Sequence, residues 1–78
     1  MIKEGQIYTE KKLPNWRKHA SDTFVVTNAD YNISVIYKDG KTDVVGWEWI
    51  KEDCKLIAEY PTWQQAVNSK EFNNGTTN

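Results

Sequence analysis

Cys54 and His19 are the one cysteine and the one histidine of this 78-residue chain, so nucleophilic or metal chemistry would have to begin with them. A cysteine nucleophile needs a base within hydrogen-bond reach and usually a third group that orients the base. His19 is the only imidazole on offer, and it stands beside Arg17 and Lys18 in a polar stretch where it reads as a solvated histidine. Cys54 heads a predicted strand and reads as a small hydrophobe at the core or a sheet edge. A structural zinc site takes four Cys/His ligands and a catalytic one usually three protein ligands, more than one residue of each type supplies. Glu48, Glu52 and Asp53 crowd one turn with nothing apolar beside them in sequence to raise a carboxyl pKa, which suits a solvated face. Gly5, Gly40, Gly46 and Gly75 are scattered and form no phosphate-cradling loop. The expectation is a chain with no enzyme activity, no metal and no cofactor.

Charge and aromatic rings offer binding chemistry instead. Lys11, Lys12, Trp16, Arg17 and Lys18 place a tryptophan among cations, a combination that can grip an acidic protein or stack bases while contacting phosphates. The competing reading folds Trp16 back over the end of a small barrel as a lid and leaves the cations solvated. Trp47 and Trp49 point the same way in an extended segment and diverge in a helical turn. Trp47 or Ile50 is expected to be buried and Trp49 partly exposed, with Tyr8, Tyr31 and Tyr60 extending an aromatic patch. The expected partner-binding set is Lys11, Lys12, Trp16, Arg17, Lys18 and Trp49, with a protein as partner and a nucleic acid as the alternative.

The elements that would position these residues are mostly strands. Gly5–Thr9 reads as a short strand with Ile7 on one face and Tyr8 on the other, followed by a long polar loop over 10–22 that contains Pro14. Thr23–Thr27 and Tyr31–Tyr37 are dense in β-branched and aromatic residues and pair around Asn28-Ala29-Asp30, with Tyr31, Ile33, Val35 and Tyr37 on one face. Asp39-Gly40 suggests a tight two-residue turn into a strand over Thr42–Trp47. Residues 47–53 are read as one helical turn or bend, and Cys54–Tyr60 as a last strand. Thr62 and Gln65 have capping-box spacing, so a helix is expected from Trp63 to about Lys70 or Glu71, with Trp63, Ala66 and Val67 on its apolar stripe and Phe72 closing the contact. Residues 73–78 have nothing to bury and read as a disordered tail.

A chain of this length supports one hydrophobic core, placed here at residues 1–72. A lone cysteine leaves no internal disulfide and suits a reducing cytoplasm. Ten aromatic residues, four of them Trp, are expected to supply the burial that so short a chain otherwise lacks. Net charge is −1, but residues 1–20 carry five Lys/Arg against two acids and residues 41–60 three against five. That balance argues against a dedicated nucleic-acid coat while leaving a local basic patch. No apolar run has the length of a membrane span or the form of a signal peptide, so a soluble, cytoplasmic protein with no membrane partner is expected.

Strand, long loop, three-strand meander, helical turn and final strand, over about residues 4–60, resemble the SH3-like barrel. The fold class expected is therefore mostly β, a small five-stranded SH3-like barrel with a short C-terminal helix over about 63–71, with an OB-like barrel as the alternative. The pattern Gly5-Gln6-Ile7-Tyr8, Phe24-Val25-Val26, Tyr37-Lys38-Asp39-Gly40 and Leu56-Ile57-Ala58-Glu59-Tyr60-Pro61-Thr62-Trp63 resembles small uncharacterised proteins of phages and prophages of Gram-positive bacteria. That resemblance implies an accessory protein in the host-cell cytoplasm, an adaptor or inhibitor that binds a host or phage protein.

Overall fold

A computed structural model describes residues 1–11 and 23–74. Among them, five strands form one antiparallel sheet: β1 (Gln6–Glu10), β2 (Thr23–Ala29), β3 (Ile33–Tyr37), β4 (Thr42–Val45) and β5 (Cys54–Glu59). Their spatial order is β4-β3-β2-β1-β5. No ladder joins β4 to β5, so the sheet is open at both edges. Three short helices accompany it: α1 (Trp47–Asp53), α2 (Trp63–Val67) and α3 (Lys70–Asn74).

Both faces of the central strands are covered. On one face Tyr8, Phe24, Val26, Ile33, Val35 and Tyr37 pack under Ile50 and Cys54, with Trp49 against them. Phe24 is the hub, its ring 5.8 Å from Tyr8, 5.5 Å from Tyr37 and 5.6 Å from Trp49. On the opposite face Ile7 and Val25 meet Ala66 and Phe72, with Trp63, Val67, Ile36 and Ala58 around them. Ile7 and Tyr8 thus point to opposite faces, as the strand period requires. The run Phe24-Val25-Val26 is wholly buried because its strand has a core on each side.

Two bulges change which residues share a face. In β2 the register shifts between Val26 and Asn28. Thr27 is the extra residue, and its hydroxyl donates to the Ser34 carbonyl oxygen at 3.1 Å. Val26 and Ala29, three apart, therefore both face the Phe24 core. In β5 the shift falls where Tyr8 pairs Leu56 and Ile7 pairs Ala58, so Ile57 is supernumerary.

Several boundaries differ from the expectation. The turn after β3 has three residues, not two. Gly40 N donates to Tyr37 O at 2.9 Å, Tyr37 N donates to Lys41 O at 2.8 Å, and only Gly40 has positive φ, at 88°. This is a turn closed by a left-handed glycine, the form three-residue hairpins commonly take. Tyr31 leaves the Ile33-Val35-Tyr37 face because it sits in the β2–β3 turn, fully exposed. β4 ends at Val45, and Trp47 begins α1, which has seven residues where one turn or bend is expected. Burying Ile50 and stacking Trp49 on Phe24 supply the packing that such a short helix needs.

The helix expected over 63–71 is two helices. Thr62 caps α2, its hydroxyl accepting from Gln65 N at 3.3 Å. The Gln65 side chain makes no reciprocal bond to the Thr62 amide among the described residues; the Trp63 amide donates to Glu4 Oε2 at 3.0 Å. Ser69 makes the break: its hydroxyl donates to Ala66 O at 2.6 Å and accepts from Phe72 N at 3.3 Å. That serine ends one helix and caps the next, turning Phe72 into the core. Residues 73 and 74 belong to α3, and 75–78, expected to be a disordered tail, lie outside the described residues.

Candidate functional site

The N-terminal residues are fastened across one end of the Phe24 face by a buried glutamine. Gln6 is 4% exposed, and its Oε1 accepts from Lys3 N at 2.9 Å and from the Tyr8 hydroxyl at 2.9 Å, while its Nε2 donates to Met1 O at 3.0 Å. Ile2 consequently packs on the core. Burial raises the Tyr8 phenol above its ordinary value, aided by the nearby charges of Glu59 and Cys54.

Beyond this clasp lies a pocket of about 470 Å³. Tyr8, Ala29 and Ile33 come to it from three adjoining strands, Met1 and Ile2 from the clasped segment, and Trp47 and Lys51 from α1. Asp30 contributes from the β2–β3 turn. Trp47 is 50% exposed although it is one of the largest apolar side chains. Lys51, one helical turn on, lies over its ring with Nζ 5.4 Å from the centroid. Tyr31, next to Asp30 in the same turn, adds a second ring to the surface.

Of the expected site residues, Lys11 and Trp49 fall among the described residues. Lys11 is exposed, its amide donating to Asp53 O at 2.8 Å and its ammonium to Glu52 O at 3.4 Å, which ties the end of β1 to the end of α1. Trp49 is half-buried and stacked on Phe24, whereas Ile50 is buried and Trp47 is outside. Lys12, Trp16, Arg17 and Lys18, with His19 and the rest of the expected loop beyond Lys11, lie outside the described residues. Among the candidates for chemistry, Cys54 is buried in the core, and Glu48, Glu52 and Asp53 are exposed. Among the described residues no three His, Cys, Asp or Glu side chains gather as metal ligands would. No helix there is long and apolar enough to cross a membrane.

The Trp47–Ile50 turn is a docking candidate in the sequence, but Lys51, Asp30 and Gln6 are not. Trp47 and Lys51 have i,i+4 spacing, which pairs them on a helix over 47–53 and not in a bend. Gln6 and Asp30 offered no such signal, since each gains its meaning from strands and turns distant in the chain. No protein-family model, curated protein or solved structure matches this chain.

Proposed function

We propose that this chain is a non-enzymatic protein-interaction module on an SH3-like sheet, docking a partner polypeptide through the end that carries Trp47. The observation behind the docking surface is the half-exposed Trp47 ring beside a pocket with a largely apolar lining. Water-exposed apolar area of this kind is uncommon on monomers, and tryptophan is the residue most enriched at binding hot spots. The SH3-like assignment draws support from the meander β2-β3-β4, from β5 lying beside β1, and from a helical segment directly before the last strand. An accessory role in a phage-infected bacterium extends the sequence resemblance to the same surface.

The test is affinity capture with a tagged chain from the native cell, comparing wild type with Trp47→Ala and Trp49→Ala. Trp47→Ala is expected to lose the partner and keep its thermal melt. Trp49→Ala removes a stacking partner of Phe24, so its melt should fall whether or not capture persists. Undiminished capture by Trp47→Ala refutes the surface. Binding of nucleic acid by the basic loop 10–22 is the rival reading, and a gel shift across a salt series measures it, because phosphate contacts weaken steeply with salt.

A further inference from the structure

The Trp47 pocket is lined by two opposite charges that form no ion pair among the described residues. Lys51 comes from α1 and Asp30 from the β2–β3 turn. Among the described residues, neither side chain has a hydrogen-bond or ion-pair partner. The Lys51 ammonium is kept at the pocket by the Trp47 ring beneath it rather than by a carboxylate. Ile2, Tyr8, Ile33 and Trp47 line the same space of about 470 Å³, room for one large side chain together with its own backbone atoms.

An apolar wall beside one unpaired ammonium and one unpaired carboxylate is complementary to a unit with three features close together. These are an apolar side chain, a carboxylate and an N–H donor. The last residue of a polypeptide has all three, whereas an internal residue brings its N–H with either an apolar side chain or, in Asp and Glu, a carboxylate, but not both. We propose that the pocket binds the carboxy-terminal residue of a partner polypeptide. Its apolar or aromatic side chain lies against Tyr8, Ile33 and Trp47, its carboxylate on Lys51 and its amide N–H on Asp30. This rests on the protein-docking reading and adds to it the chemistry of the bound end.

The full ¹⁵N-labelled chain is titrated with acetyl-Ala-Ala-Leu and acetyl-Ala-Ala-Trp as free acids, with the same peptides as carboxamides, and with free leucine. The readout is the Trp47 indole N–H cross-peak, assigned by its loss in Trp47→Phe. The free-acid peptides are expected to move it and to bind roughly two- to fivefold tighter than the amides, because the amide loses an ion pair to the solvent-exposed Lys51 ammonium. Lys51→Met keeps an apolar stem over Trp47 and should bring acid and amide to equal affinity. Asp30→Asn should weaken the free-acid peptides. Acid and amide binding alike in the wild type, or an unmoved cross-peak at millimolar peptide, would overturn the carboxy-terminal reading. Free leucine binding as tightly as the peptides would overturn the partner-chain source. Both results leave the docking surface standing if Trp47→Ala still loses its partner in the capture experiment.

Discussion

Gln6→Leu removes the clasp while nearly keeping its volume, and its cost can be worked bond by bond. The side chain makes three hydrogen bonds, to Lys3 N, Met1 O and the Tyr8 hydroxyl. The first two are part-buried, and water can replace the lost partner, so each contributes about 0.5–1.5 kcal/mol. The Tyr8–Gln6 bond is buried, and a leucine leaves that hydroxyl without its acceptor, a desolvation cost of about 1–3 kcal/mol. The added apolar surface of leucine offsets part of this, leaving a loss of roughly 2–4 kcal/mol. A chain of this length has on the order of 4–12 kcal/mol in total, so the loss should be plain in urea denaturation followed by tryptophan fluorescence. Tyr8→Phe on the Gln6→Leu background removes the stranded hydroxyl. The double variant should therefore recover about 1 kcal/mol or more relative to the sum of the single changes. Gln6→Leu within about 0.5 kcal/mol of wild type, or strict additivity with Tyr8→Phe, would refute the clasp, since about 0.5 kcal/mol is the range of an ordinary surface change.

Gly5→Ala should be among the most damaging single substitutions. Gly5 has φ of +92°, and an added Cβ would lie 2.0 Å from the backbone oxygen of Tyr60, so a loss of roughly 2–4 kcal/mol is expected in the same assay. Gly40, also at positive φ but with open space around it, should cost less when changed to alanine, about 1–2 kcal/mol. The fold should also weaken in alkali. Tyr8 is held above the ordinary tyrosine value of 10.0 by burial first, and Tyr60 by its hydrogen bond to Glu71 first. A phenol raised in the folded state stabilises fully below the unfolded value, and that stability is lost as pH climbs past it through the folded value. Urea midpoints should therefore decline above pH 10.0, less steeply in Tyr8→Phe; equal slopes in the two proteins would contradict the assignment to Tyr8. Glu71 is shifted the other way by the same bond, so its contribution is present above the unfolded carboxyl value and disappears as pH falls.

Local patterns in the chain carry a good deal of this architecture. The β-branched and aromatic density of 23–27 and 31–37 places two strands, the second beginning two residues late at Ile33, Asp39-Gly40 places a hairpin, and Thr62 places a helix start, because each depends on neighbours within a few residues. The Trp63-Ala66-Val67 stripe likewise lies against the sheet, as its spacing implies, and Phe72 closes that contact. The count of one cysteine and one histidine bounds the chemistry without any coordinates. What the tertiary structure alone decides is where spacing is interrupted or where distant segments meet. The bulge at Thr27 puts Val26 and Ala29 on one face against the strand period. Ser69 divides one apparent helix into two, because a side chain capping in both directions outweighs a helical propensity that is nearly neutral there. The choice between Trp47 and Ile50 for burial is tertiary as well: Ile50 enters the core and Trp49 stacks on Phe24, while the helix turns Trp47 outward. The pocket gathers the clasped N-terminal residues, three strands, a turn and α1, so its chemistry exists only once the sheet has brought them together.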